Sequence, residues 1–204
     1  MRISNNYTTY PYLANKTVSA PSFRSCGIET IKHANLGMAG RGYVGKVRVL
    51  KANGQEAYLN VIKNIMCQNS ETYMLQENYG KVIGEITFKI KKAFDYDREQ
   101  YPEDPSHVFV EYLRNYSNPN TPYYRQGLEE YKGIGTRLLQ IAQRRSDESC
   151  CMGNIQLHTK DNSKPFYKKL GFEEIPRLFS YTNNNQMYLP PMAKEPLSKR
   201  YGGL

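Results

Sequence analysis

Apolar and polar residues alternate at Lys46-Val47-Arg48-Val49-Leu50, and this predicts a strand. Ala52-Asn53-Gly54-Gln55 then supplies an Asn-Gly turn, with Glu56 to Ile62 as the returning arm of a hairpin. Thr72–Gln76 and Val82–Ile90 flank Glu77-Asn78-Tyr79-Gly80, a second hairpin, and His107–Leu113 forms a further strand. The period then changes. Ile134, Leu138, Leu139, Ile141 and Ala142 share one helical face. Asn154–His158 reads as a strand. Asn162 or Ser163 caps a second helix, with Pro165 in its first turn and Gly171 past its end. Phe172–Ile175 and Gln186–Leu189 are late strands. Strands first, then helix-strand-helix-strand-strand, predict one layered α/β (α+β) fold without internal repeats.

Outside this pattern, residues 1–40 are rich in Asn, Ser, Thr, Tyr, Gly and Pro, and they read as a disordered or irregular extension. Residues 41–190 form the domain and 191–204 a tail. The chain has 204 residues and a formal net charge of +9. The extension carries +3 and the segment from Pro190 carries +2, leaving +4 in the domain. That excess fits solubility, or attraction of an anionic cofactor or nucleic acid. No apolar run is long enough to span a bilayer, and no basic-then-apolar start resembles a signal peptide. Cys26, Cys67, Cys150 and Cys151 lack the C-x-x-C spacing of metal or redox sites. Free thiols in the cytoplasm and no metal are therefore expected.

Two glycine clusters invite a phosphate reading. Gly40-Arg41-Gly42-Tyr43-Val44-Gly45-Lys46 fits G-x-x-x-x-G-K, but Val47 stands where Ser or Thr would hold magnesium, and a strand begins instead of a helix. Gly133 and Gly135 do stand at a helix start, after a strand and a loop. Free N–H groups and the helix dipole make such a start an anion site, and missing Cβ atoms allow close approach. Lys132 and Arg137 could add positive charge; an ordinary glycine-rich turn is the other reading.

Glu130-Tyr131-Lys132-Gly133-Ile134-Gly135 followed by Asn162-Ser163-Lys164-Pro165-Phe166-Tyr167-Lys168-Lys169-Leu170-Gly171-Phe172 resembles the GNAT superfamily of acyl-CoA N-acyltransferases. The first segment is similar to its Gln/Arg-x-x-Gly-x-Gly/Ala loop, with Glu130 in the Gln/Arg place. The second is similar to its Phe-Tyr-x-x-x-Gly-Phe segment. The resemblance runs from about His107 to Leu189; the two helices that usually follow the family's first strand are not recognisable, and the extension and first hairpin stand in their place.

The resemblance implies a GNAT fold: a mixed central sheet with a splayed strand pair holding acetyl-CoA, and flanking helices. It implies that backbone groups of Tyr131, Lys132, Gly133, Ile134, Gly135 and Thr136 cradle the pyrophosphate. Leu113 and Asn162 are further cofactor contacts, and Tyr167 is the acid for the leaving thiolate. An acceptor amine with an ordinary pKa of about 10.4 must lose a proton before attack. Glu111 on the central strand is the assigned base, with Glu85, His107 and His158 as other options; solvent-facing carboxylates and structural histidines are the alternative. Glu85 is also placed at the acceptor. The segment 115–128 is longer than the family's crossing, and it is read as an acceptor lid with Tyr123 and Tyr124 as contacts. The expected reaction moves acetyl to an amine of a small molecule, peptide or protein. A non-catalytic acyl-CoA-binding protein and an aminoacyl-tRNA-directed enzyme are the rivals, the latter ranked lower because no RNA-binding motif is present. No membrane partner is expected.

Overall fold

The structure is a computed structural model. It describes residues 36–67, 70–92, 106–174 and 186–189. The strands are β1 (Gly42–Lys51), β2 (Glu56–Cys67), β3 (Ser70–Gln76), β4 (Val82–Lys91), β5 (His107–Asn115), β6 (Tyr131–Lys132), β7 (Ile155–His158), β8 (Glu173–Glu174) and β9 (Gln186–Leu189). The helices are α1 (Ile134–Glu148) and the short α2 (Lys164–Lys168), which follows a 3-10 turn at Asp161–Ser163.

The strands join into one sheet in the order β6-β1-β2-β3-β4-β5-β7-β9-β8. Every neighbouring pair is antiparallel except β5 and β7. The β1–β2 turn forms as its sequence demands. Gly54 takes a left-handed φ of 87°, and the Asn53 side chain accepts the Gln55 N–H at 3.0 Å. Gly80 does the same work in the β3–β4 turn, with φ 83°.

Alternate residues of the strands turn one sheet face inward. Val47, Val49, Leu59, Val61, Tyr73, Leu75, Ile86, Phe88, Val108 and Val110 are buried there. On α1, the predicted stripe of Ile134, Leu138, Leu139, Ile141 and Ala142 is buried in the same core. Gly84 lets the helix sit close: a Cβ there would lie 2.7 Å from Ile134 Cγ2 and 2.8 Å from the Arg114 carbonyl oxygen.

Three features differ from the sequence reading. The extension was expected to run through residue 40, yet Leu36 and Ala39 are buried in the core, because Leu36 fills a slot beside α1. Tyr131 and Lys132 were expected in a loop and instead pair with Lys51 and Leu50 as an edge strand. The second helix was expected to be capped by Asn162 or Ser163. Ser163 is the N-cap residue of α2, but no side chain caps it, and its hydroxyl donates to Asn162 Oδ1 at 3.3 Å. The strand expected at the glycine-rich 40–46 stretch begins at Gly42, in keeping with the rejection of a P-loop there. Among the described residues no helix precedes Ile134. Residues 1–35 of the expected extension, the expected strand end at Ile175, Cys26 and the tail at 191–204 lie outside the described residues.

Candidate active site

The parallel pair β5 and β7 is in register only at Val108–Ile155, Phe109–Gln156 and Val110–Leu157. Beyond Val110, β5 runs on to Asn115 bonded to β4, while β7 ends at His158. The two strands share no ladder beyond Val110–Leu157, at the C-terminal end of the parallel pair, where ligands of open α/β sheets commonly sit. Leu113 lies on β5 beyond this point, half-buried against the core.

The start of α1 stands at the same end of the sheet. Its N-cap is Gly133, at φ 80° and ψ 6°, a left-handed conformation that costs a side-chain-bearing residue strain. No side chain caps the helix and its first turn holds no acidic residue. The N–H of Arg137 is the first to bond back, to the Gly133 carbonyl at 2.9 Å. The N–H groups of Ile134, Gly135 and Thr136 thus lack intrahelical partners, and they project the positive end of the helix dipole. A phosphate-bearing ligand fits this donor set, since an anion supplies the acceptors the helix start lacks.

The rest of the expected cradle is used differently. Tyr131 and Lys132 belong to β6, and the Tyr131 N–H points to Ser117 Oγ at 3.5 Å. The Tyr131 phenol is buried with carboxylate oxygens of Glu77 and Glu129 both 3.0 Å away as acceptors for its one proton; burial and those carboxylates raise its pKa. The Lys132 side chain is exposed at the loop and remains available to an anion. Arg137, considered as a phosphate neutraliser, is buried: its Nε donates to the Arg48 carbonyl at 2.9 Å and its Nη1 to Gln140 at 3.0 Å. It ties α1 to β1 and offers no charge to a ligand. Glu130 is exposed.

Tyr167 projects from α2 into an aromatic group, with ring centroids 5.0 Å from Phe166 and 5.5 Å from Phe172. Burial, then the nearby Tyr123 phenol, pushes its pKa up to about 12. Among the described residues no group bonds its hydroxyl. Gly135 sits against the same aromatic group, since a Cβ there would lie 3.1 Å from Phe166 Cζ. Asn162 is exposed in the turn before α2.

The two carboxylates lie on the sheet face away from α1. Glu111 is held by Lys89 at 2.6 Å and accepts from Ser70 Oγ at 3.3 Å. Glu85 pairs with Arg114 at 2.9 Å and accepts from the Tyr116 hydroxyl at 2.6 Å. Both are engaged within the protein. His107 is buried, and the exposed His158 packs edge-on against Phe109 at 5.4 Å. Tyr123 and Tyr124 are about half exposed on the 116–125 loop. Arg114, Tyr116 and Arg125, which build that loop's contacts, were missed from sequence. Their signal is the cross-strand pairing of Glu85 with Arg114, which depends on a bulge at Thr87–Phe88 that the pattern does not reveal. Among the described residues no cluster of metal-ligating side chains occurs, and no helix is long and apolar enough to cross a membrane.

The domain is a layered α/β fold in which the parallel β5–β7 pair ends beside an uncapped, glycine-started helix. Residues 129–196, a third of the chain, match the family model described as an acetyltransferase (GNAT) domain. That segment is similar to the GNAT superfamily, and the match does not extend to the strands before it. No curated protein matches the sequence. Among solved structures, the chain is similar to a GNAT-family acetyltransferase from Staphylococcus aureus Mu50, with 19% identity, TM-score 0.40, and coverage of 58% of this chain and 66% of that one. It is also similar to Tetrahymena GCN5, with 19% identity, TM-score 0.38, and coverage of 61% and 71%. A nourseothricin acetyltransferase is 15% identical, with TM-score 0.38 and coverage of 74% and 84%. The chain spans just under two thirds of the Staphylococcus protein, and likenesses of this size say nothing about substrate.

Proposed function

We propose that the chain is an N-acetyltransferase that moves acetyl from acetyl-CoA to a primary amine by direct attack in a ternary complex. The observation that carries this reading is the start of α1: a left-handed glycine, three unbonded N–H groups and no competing acid, placed where β5 and β7 part. A pyrophosphate suits those donors, and the parted strands leave room for an extended arm. Ile134, Gly135 and Thr136 bind the phosphates through the backbone, with Lys132 adding charge. Leu113 contributes strand backbone beside the arm, and Asn162 lies near the cofactor's other side.

In the reaction, the neutral amine nitrogen attacks the thioester carbonyl, and the tetrahedral intermediate collapses with loss of thiolate. Tyr167 supplies the proton to that sulfur. A buried phenol with its pKa pushed up to about 12 is protonated throughout neutral pH, as an acid must be before its step. Glu111 accepts the amine's proton through water, held in place by Lys89 at 2.6 Å and Ser70 at 3.3 Å. Tyr123 and Tyr124 line the acceptor side, and Glu85 supports them from behind. The acceptor is a small molecule, peptide or protein amine, and the free thiols of Cys150 and Cys151 suit the reducing cytoplasm.

The test is an acetyl-CoA-dependent screen over amines, peptides and aminoacyl-tRNAs with mass detection of products. Acetylated amine or peptide supports the proposal. Retained CoA binding with no transfer to any acceptor overturns it in favour of a non-catalytic binder.

A further inference from the structure

The 116–125 segment closes on itself. The Arg125 N–H donates to the Tyr116 carbonyl at 2.9 Å, and the Tyr124 N–H to the Thr121 carbonyl at 3.2 Å. Asn115 and Asn118 fold the turn between them: Asn115 Oδ1 accepts the Ser117 N–H and Asn118 Oδ1 the Asn120 N–H. Thr121 Oγ1 donates back to the Asn115 carbonyl at 2.8 Å. This is a compact loop with its ends together.

One cluster fastens it to the sheet. Arg114 Nη1 and the Tyr116 hydroxyl share Glu85 Oε1, at 2.9 and 2.6 Å. The Arg114 guanidinium lies 4.8 Å from the Tyr112 ring centroid and 5.4 Å from that of Tyr123. On Tyr116, the Arg125 guanidinium covers the ring at 3.7 Å. A planar guanidinium donates in its plane while its faces meet aromatic rings, which an ammonium cannot do. Arg114 Nε is buried without a partner, so the residue does not sit there for its own satisfaction. The Glu85 pair and the two rings offset that orphan donor.

We propose that Arg114 is a positioning residue: by gripping Glu85 and the Tyr123 ring together, it clamps the 116–125 loop into a fixed wall of the acceptor cleft. Tyr123 is the ring of the wall that Arg114 covers, and it is half exposed on the loop. Glu85 then serves the wall, not the acceptor. The clamp follows from the contacts alone; the acceptor cleft rests on the acetyltransferase reading above.

The experiment uses the full chain with Arg114→Lys, which keeps the charge beside Glu85 and loses the stacking, and Tyr123→Leu, which removes one ring from an exposed loop. Hydrogen exchange at the Tyr124 and Arg125 amides is expected to quicken about tenfold in each, while the amides of α1 stay protected. Tyr123→Phe keeps the ring and should keep the protection. With an acceptor found by the screen, its KM is expected to rise about tenfold in Arg114→Lys, with kcat and acetyl-CoA affinity within about twofold. Unchanged exchange at Tyr124 and Arg125 in both variants overturns the clamp. Faster exchange with an unchanged acceptor KM overturns its role at the acceptor. If no amine is acetylated, the transferase reading fails and exchange still decides the clamp.

Discussion

At its first turn α1 starts on a left-handed glycine, with no side-chain cap and no acid, whereas at its last turn Arg145 and Glu148 enter a dense set of ion pairs. Arg145 meets Glu71 through Nε and Nη2 at 2.9–3.0 Å, and the nearly buried Lys63 approaches the same carboxylate at 3.5 Å. Glu148 accepts the N–H groups of Leu36 and Gly37 at 2.7 and 3.0 Å, and Lys63 donates to the Leu36 carbonyl at 2.9 Å. Gly37 passes so close that a Cβ would lie 2.7 Å from Arg145 Cζ. One end of the helix is left with unbonded donors and the other has its charges matched. The difference separates the end proposed to hold a ligand from the end that holds the helix, and substitutions at the two ends should divide binding from stability.

The largest effect belongs to the matched end. Glu71→Ala takes the shared carboxylate from Arg145 and Lys63, both largely buried, and leaves Arg145 the longer 3.8 Å pair with Glu148. Removing one partner of such a group costs about 3–5 kcal/mol, which a denaturant titration will read. The Tyr73 hydroxyl loses its 2.9 Å acceptor as well. In the fraction that remains folded, acetyl-CoA affinity should match the parent's. An affinity loss parallel to the stability loss would mean that the two ends are not independent.

Tyr167→Phe should act in the opposite sense. It removes only a hydroxyl that has no partner among the described residues, so the unfolding midpoint should hardly move. A positioned general acid contributes roughly 100-fold or more, and kcat should fall by about that much with acetyl-CoA affinity unchanged. Because burial and Tyr123 push the phenol up to about 12, it remains protonated below that pH, and the proposed acid role is lost only as the pH rises through it. An undiminished kcat would assign the proton to another donor.

The same two ends show what the sequence could and could not reveal. Periodicity marks the strands of both hairpins, β5, β7 and the buried stripe of α1, because local alternation and the helical repeat follow directly from which face is wet. Gly133 and Gly135 were visible as an anomaly at a helix start, and the second motif gave the anomaly a meaning. The charged end was not legible. Lys63, Glu71, Arg145 and Glu148 are ordinary surface-type residues in the linear chain, and only the packing of β2, β3 and α1 turns them inward together. Arg137 misled for the same reason: its position in the first turn faces β1, not the ligand. Tyr131 and Lys132 became a strand because β1 had an open edge at Leu50–Lys51, a vacancy set by sheet order and not by their own propensity.

A bulky residue at Gly133 tests the open end directly. At φ 80° a β-branched side chain is strained by about 1–2 kcal/mol. Gly133→Val should lose that much stability, less than Glu71→Ala, yet weaken acetyl-CoA binding measured by calorimetry, which Glu71→Ala should not.

Gly135→Ala has the smallest expected effect on stability and the most to say about why two glycines stand at this helix start. Alanine is a better helix former by up to about 1 kcal/mol. Against that, its Cβ would lie 3.1 Å from Phe166 Cζ, so the ring must give by a few tenths of an ångström. Phe166 is about one third exposed and is free to shift outward, which leaves the two terms close to cancelling. If Gly135 serves the ligand, the unfolding midpoint should stay within a degree or two while acetyl-CoA affinity falls, because the new methyl group and the displaced ring both crowd the helix start. If the midpoint drops and affinity holds, the glycine serves Phe166 packing, and Gly133 alone shapes the anion site.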